Sequence, residues 1–207
     1  MFNLVADGIV TASNAFLAAD AAAARQLVAD DPQINELQHS IEALVERRLF
    51  DGVLNAADLR ALIAVLRIVP EVERSGDLVE HIALRTPQRL AQEIPARCRA
   101  LVEEMGLIAA EMWRDAALAY ASADPAAADR LRVRDDVLDD LHVSLTAQLA
   151  SSGISVAIAI EMGLVARFYE RLGDHAVNVA RRVKDAAFVA DGLHGRRSAE
   201  AVCVATY

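Results

Sequence analysis

A short helical unit that occurs twice constrains this chain more than any other feature of its sequence. The unit Glu-Arg-x-Gly-Asp, followed by an Ile/Val-Ala pair, stands at 73–77 and again at 170–174. In each copy a Glu precedes an Asp by four residues. On a helix that spacing stacks the two carboxylates on one face. The doubled unit predicts a chain built from two repeated helical units.

The repeat extends well beyond this unit. An offset of 104 positions matches Ala19-Asp20 to Ala123-Asp124, and Asp31 to Asp135. The Glu-Arg-x-Gly-Asp units are 97 positions apart, so the second repeat has a turn seven residues shorter. We therefore expect three helices in each repeat.

Composition and turn signals place these helices. Hydrophobic residues make up 55% of the chain and aromatic residues 4%, with 5 Pro and 9 Gly, which favours long helices over sheets. The predicted helices run over 1–18, 20–49, 55–84, 87–122 with a bend or restart at Pro95, 124–150, and from the turn at 151–153 to about 189. We predict an all-α fold of two tandem three-helix bundles, over 1–86 and 87–191, followed by a flexible tail over 192–207.

Charge and targeting signals limit the function classes. The net charge of -9 and the pI of about 5.0 argue against nonspecific nucleic-acid binding, which depends on Lys and Arg at phosphates. Cys98 and Cys203 form neither a disulfide framework nor a zinc motif. The N-terminus does not resemble a signal peptide, and no apolar run approaches the ~18 residues of a membrane span. We expect a cytoplasmic protein.

The second helix of each repeat carries a further polar pair. Asp31 precedes Asn35 by four residues, and Asp135 precedes Asp139 by the same spacing. Antiparallel neighbouring helices joined by a short turn can bring these pairs beside the Glu-x-x-x-Asp pairs of the third helices. The predicted metal-binding residues are Asp31, Asn35, Glu73 and Asp77 in the first repeat, and Asp135, Asp139, Glu170 and Asp174 in the second.

Such clusters of acids repel themselves and invite a multivalent cation. Oxygen ligands favour hard ions, and the absence of clustered Cys or His argues against a structural zinc site. We expect carboxylate-bound metal ions drawn from iron, zinc, manganese and magnesium. His81 and Asn178, one turn beyond each Glu-x-x-x-Asp pair, are weaker candidates, and so is His175.

Two other interpretations stay open. Glu170 and Asp174 lie opposite the apolar stripe of their helix, so they could be ordinary solvated acids of a structural helical scaffold. A carboxylate-bridged metalloenzyme in a helix bundle is the other alternative, but it is expected to use two inward-facing Glu-x-x-His pairs, and the chain has a single Glu-x-x-His, at 36–39. Gly76 and Gly173 favour a site, because glycine inside a helix costs about 1 kcal/mol relative to alanine. We expect a neighbouring helix or a ligand to pack closely against both.

These motifs resemble those of the PhoU family of phosphate-uptake regulators. The resemblance rests on Asp58-Leu-Arg, on Glu73-Arg-Ser-Gly-Asp77 and on Glu170-Arg-Leu-Gly-Asp-His-Ala-Val-Asn-Val-Ala180, with Asp31 and Asp135 opening the acidic pairs. It covers nearly the whole chain, and the N-terminus looks some twenty residues shorter than that of usual members. The family implies two three-helix bundles with multinuclear metal clusters on the outer surface. Asn35 departs from the acid expected there and lowers the charge of the first site.

The resemblance also implies a function. A member of this family is a signalling protein rather than an enzyme. It couples the ATPase subunit of a phosphate ABC transporter to a sensor histidine kinase and represses the phosphate-starvation response. We expect no nucleic-acid partner, at most peripheral association with the membrane through its partners, and either a monomer or a homodimer.

Overall fold

The computed structural model describes residues 1–50 and 52–204, with side chains to residue 186, and these residues form helices joined by short turns, without a strand. Its eight α-helices are α1 Phe2–Ala18, α2 Ala21–Asp30, α3 Pro32–Phe50, α4 Ala56–Ala83, α5 Leu90–Glu93, α6 Ala96–Ser122, α7 Ala127–Ser151 and α8 Val156–Val204, with a 3-10 turn at Thr86–Gln88 between α4 and α5. The prediction of an all-α fold is confirmed. Asp51 lies outside the described residues.

Local sequence signals fix most helix ends. Asp20 caps α2, its carboxylate accepting from the backbone N–H groups of Ala22 and Ala23, and the side chain of Asn55 caps α4 in the same way. Pro95 stands just before α6, which confirms the predicted restart there. The helices α1 and α6 both end at an alanine in the left-handed conformation, Ala19 and Ala123, with φ of 56° and 50°. Because these two residues are 104 positions apart, the repeat found in the sequence holds in the backbone.

The second predicted helix, over 20–49, is wrong as a single helix. It is two helices, α2 and α3, which meet at Asp31 and Pro32. Proline has no N–H to donate, and its ring collides with the carbonyl four residues earlier, so Pro32 begins a new helix. Asp136 stands at the matching position of the second repeat, and α7 passes through it unbroken.

Each repeat forms a packed helical unit. In the first, α1 and α4 pack together, with α2 against α1 and α3 against α4; in the second, α6, α7 and α8 pack against one another. The two units share one core, because α1 packs along α6 and α4 along α8. The bundle arrangement is as predicted, whereas the residue boundaries of the two units stay a prediction.

Buried polar contacts join α8 to α1 of the first unit and to α6 of its own unit. The hydroxyl of Tyr169 on α8 lies 2.8 Å from Ser13 Oγ on α1, and Trp113 Nε1 on α6 donates to the carbonyl of Leu172 at 3.0 Å. All of these groups are buried, so each contact satisfies a polar atom that water does not reach. Burial raises the pKa of Tyr169 to about 12, which keeps its hydroxyl protonated.

The last helix extends beyond the predicted end near 189, since α8 continues to Val204. The predicted flexible tail over 192–207 concerns residues whose side chains are not described, and it stays a prediction. Within the described part of the chain, no helix combines the length and the hydropathy needed to cross a membrane.

Candidate metal centres

The close approach of α7 to α8 builds the second acidic cluster. A Cβ at position 173 would lie 2.5 Å from Asp135 Oδ1 and 2.8 Å from Leu138 Cδ2, which is closer than such atoms approach one another. Only glycine therefore lets α7 lie this near α8 with the carboxylate of Asp135 against the α8 backbone. The prediction that a neighbouring helix packs against Gly173 is confirmed.

This approach gathers four carboxylates from two helices. Asp135 and Asp139 of α7 face Glu170 and Asp174 of α8, and their charges act on one another. Burial raises the pKa of Asp135 to about 7, and the charges of Asp174, Asp139 and Glu170 add to that rise. Burial and the neighbouring Asp174 also raise the pKa of Asp139. The four predicted residues of the second repeat thus form a mutually repelling group.

Two carboxylate oxygens in this second cluster lack a partner. Asp135 Oδ1 and Glu170 Oε2 are both buried, and neither has a hydrogen-bond partner among the described residues. The other carboxylate oxygen of Glu170 is engaged by Arg167, one turn earlier on α8. Burial raises the pKa of Glu170, with Arg167 opposing and Asp174 adding to the rise. A buried anionic oxygen without a donor is costly, and a bound cation would remove that cost.

The first repeat builds a looser counterpart from α2, α3 and α4. A Cβ at Gly76 would meet Ile34 Cδ1 at 2.9 Å and Asp31 Oδ1 at 3.6 Å, so the helices approach closely here too. Burial raises the pKa of Asp31, followed by the charge of Asp77, while His81 opposes the rise. Burial and Asp77 likewise raise the pKa of Glu73. These acids form the first cluster.

The first cluster includes one acid in addition to the predicted residues. Glu80 belongs to it, because burial and then the charge of Asp31 raise its pKa. Glu80 lies one turn beyond Asp77, a spacing that could have identified it, but its match in the second repeat is the buried Val177. Asn35 is half-buried on α3, one turn after Asp31, and its backbone carbonyl lies 2.8 Å from His39 Nδ1.

The structure places His175 away from the carboxylate face. It is buried between α4 and α8, where its Nδ1 lies 2.9 Å from Ser75 Oγ and its Nε2 lies 4.0 Å from Glu71. Burial lowers the pKa of His175, so the neutral imidazole is favoured. His175 therefore joins the two helices that carry the Glu-Arg-x-Gly-Asp units, a contact that the sequence pattern did not reveal.

The donor set of the second cluster fits an oxygen-ligated cation, on the observation of its two partnerless buried oxygens. Among the described residues, however, no group of three or more His, Cys, Asp or Glu has its donor atoms close enough to hold an ion as they stand. The residues that would hold a metal there are Asp135, Asp139, Glu170 and Asp174.

Sequence comparisons place the chain among known proteins. A family model described as "PhoU domain" matches it twice, over residues 1–86 and 102–183. The chain is 35% identical over 186 residues to the phosphate-specific transport system accessory protein PhoU homolog 2 of Mycobacterium tuberculosis, covering 88% of this chain and 87% of that protein. It is 33% identical over 186 residues to the PhoU homolog 1 of Mycobacterium leprae, covering 88% and 84%.

Solved structures share the fold. The crystal structure of PhoU from Pseudomonas aeruginosa superposes with a TM-score of 0.84 at 27% identity, covering 90% of this chain and 91% of the other. The phosphate transport system regulatory protein PhoU from Streptococcus pneumoniae gives a TM-score of 0.79 at 22% identity, covering 88% and 87%. The names of the two Mycobacterium relatives describe accessory proteins of phosphate transport, and that of the Streptococcus pneumoniae structure describes a regulatory protein.

Proposed function

The chain belongs to the PhoU family of phosphate-transport accessory proteins, which are not enzymes, and from this premise we propose that it is a metal-binding regulatory adaptor. It would link the ATPase subunit of a phosphate ABC transporter to a sensor histidine kinase and repress the phosphate-starvation response when phosphate is plentiful. Such an adaptor acts in the cytoplasm, where both partners expose their soluble domains.

The observation that carries the metal-binding part is the pair of partnerless oxygens, Asp135 Oδ1 and Glu170 Oε2. Four carboxylates on two helices would hold a multivalent ion, and the ion would supply the positive charge that draws α7 and α8 together there. Iron, manganese and magnesium match the all-oxygen donor set, and zinc accepts carboxylates as well. The first cluster would bind more weakly, because Asn35 stands where the second cluster has Asp139.

The fold supports an adaptor in preference to an enzyme. Ser75 and His175 pair a nucleophile type with a base, but they are buried in the contact between α4 and α8, with Ser75 0% exposed. A substrate cannot reach them without separating the two repeats. The second acidic cluster, by contrast, includes the exposed residues Asp139 and Asp174, which ions and partner proteins can reach.

Deletion of the gene tests the regulatory role. A phosphate-responsive reporter should be switched on in phosphate-rich medium, and a copy of the wild-type gene should switch it off again. The variant Glu170→Ala/Asp174→Ala should fail to restore repression, whereas Gly163→Ala, on the same helix with open space around position 163, should restore it. A reporter that stays off in the deletion strain would contradict the proposal.

A further inference from the structure

A groove in the first repeat is not occupied by any of the described side chains. It lies between α1, α2 and α4 and has a volume of about 580 Å³. Its floor is apolar, with Leu4, Leu27 and Val79 among the residues that line it. Four acids also line it, namely Asp7, Asp30, Asp31 and Glu80, and the lining residues include no Lys, Arg or His.

The second repeat shows what fills the matching space. The offset of 104 sets Gly8 of α1 on Met112 of α6. Met112 is 0% exposed, and its ε-methyl lies 3.5 Å from where a Cβ of Gly173 would be. Gly8 has no side chain to cover Gly76 in this way. Val79, set against Ala176 in the second repeat, lies beside Gly8 instead, with its Cγ1 3.2 Å from where a Cβ of Gly8 would be.

A charged clamp closes the second repeat at the same place. Arg134 of α7 bridges two acids of α6, with its guanidinium 2.8 Å from Glu111 and 2.8 Å from Asp115. The clamp joins α6 to α7 across the side of the bundle where the first repeat has its groove.

The first repeat carries the acid but not the cation of this clamp. Asp7 matches Glu111, and Asp30 stands where the second repeat has Arg134. Asp7 has an exposed ion pair with Arg114 at 3.8 Å, and Asp30 accepts from Gln26 on its own helix. Neither contact bridges α1 and α2. The long, exposed ion pair with Arg114 offsets the charge of Asp7 only in part, so the mouth of the groove keeps a net negative charge.

We propose that this groove is a docking site for a segment of a partner protein that presents an Arg or Lys beside an apolar side chain without branching at Cβ, such as Met or Leu. These are the two groups, Arg134 and Met112, that the chain supplies to itself in the second repeat. The apolar side chain enters over Gly8 and Gly76, and the cation lies between Asp7 and Asp30. Each of the two partners named in the proposed function is a candidate source of this segment. The docking itself does not depend on metal binding.

A peptide selection on the full chain tests this docking. A display library of random linear peptides is selected against the wild-type protein in low salt, and the Kd of the selected sequences is measured by fluorescence anisotropy. We expect Arg or Lys to be enriched next to Met or Leu. Asp30→Arg rebuilds the cation of the clamp within the chain, so it should weaken binding about tenfold or more, as expected for like charges brought together.

Two further variants keep the test decisive if Asp30→Arg disturbs α2. Thr11→Arg places a cation on α1 at the mouth of the groove, away from the acidic pairs, and should weaken binding by a similar factor. Glu104→Arg makes the same charge change as Asp30→Arg, on an exposed position of α6, and should bind as the wild type does. Circular dichroism and metal analysis establish that each variant is folded and loaded alike.

Three results would overturn the proposal. The first is a selection that yields no binding peptide or yields peptides without cations. The second is equal affinity of the selected peptides for the wild type, Asp30→Arg and Thr11→Arg. The third is self-association of the wild type in sedimentation experiments that Asp30→Arg abolishes, which would make the occupant a second copy of this chain. A failure of metal binding with peptide docking intact would reject the proposed metal centres alone.

Discussion

Replacing Gly173 by Ala tests whether this glycine serves the stability of the fold or the shape of the second cluster. Alanine is the better helix former by about 1 kcal/mol, so an open position would gain stability from the change. At Gly173 the added Cβ would lie 2.5 Å from Asp135 Oδ1 and 2.8 Å from Leu138 Cδ2. Both atoms end side chains, so the contact is relieved when those side chains move rather than when the helices separate.

The magnitudes predict a small net change in stability and a large change in the site. Forcing a methyl into a packed contact costs about 1–3 kcal/mol. Against the helical gain, Gly173→Ala should change the free energy of unfolding by between about 0 and 2 kcal/mol in the destabilising direction. The carboxylate of Asp135 must turn away from α8, however, and the second cluster then loses the ligand with the most perturbed pKa.

A matched control lies on the same helix. A methyl group added at Gly163 would have no heavy atom within 4 Å, so Gly163→Ala should stabilise the protein by about 0.5–1 kcal/mol and leave metal binding unchanged. Chemical unfolding and isothermal titration with Mn²⁺ measure both quantities. If Gly173→Ala gains stability as Gly163→Ala does and binds Mn²⁺ with wild-type affinity, the close approach of α7 to α8 is not what shapes the site.

Three further predictions concern the second cluster and the shared core. Asp135→Asn removes one of four like charges, so the metal-free protein should gain about 1 kcal/mol at neutral pH after allowance for solvent screening, seen as a rise in Tm, while the metal-dependent rise in Tm is lost. The pKa of Asp135 is raised from 3.8 to about 7 on folding, so its contribution to stability is complete below pH 3.8 and is lost as the pH rises to about 7. Across that range the Tm of the metal-free protein should fall less steeply in Asp135→Asn than in the wild type, and equal slopes would refute the assignment. Tyr169→Phe removes the buried contact with Ser13 and should cost about 1 kcal/mol in chemical unfolding, with metal content unchanged; a loss of metal would link the core to the clusters.

The fold could be predicted from the sequence where local signals are strong. Asp20 and Asn55 cap their helices through side-chain oxygens, and Pro95 restarts a helix, because each acts on backbone groups within a few residues. The doubled Glu-Arg-x-Gly-Asp unit predicted the repeat, because two copies of one motif indicate two helices with the same surroundings. The break at Pro32 could also have been predicted, because proline disrupts a helix interior, but the prediction over 20–49 followed the apolar spacing alone.

Features that depend on contact between distant helices could not be predicted. Glu80 lies near Asp31 because α4 packs against α2. Its spacing of one turn from Asp77 is a local signal, but the matching position of the second repeat is Val177, so the comparison of the repeats argued against it. His175 binds Ser75 across the contact of the two repeats, a pairing of residues a hundred positions apart. The groove exists because the first repeat has Gly8 and Asp30 where the second has Met112 and Arg134. This is evident only when both repeats are compared in space.

Metal analysis of the purified protein tests the central claim most directly. Inductively coupled plasma mass spectrometry of the wild type and of Glu170→Ala/Asp174→Ala, each after equilibration with the same metals and removal of excess, gives the metal content per chain. We predict stoichiometric metal in the wild type and loss of the share held by the second cluster in the double variant. Equal, sub-stoichiometric metal in both proteins would contradict the account.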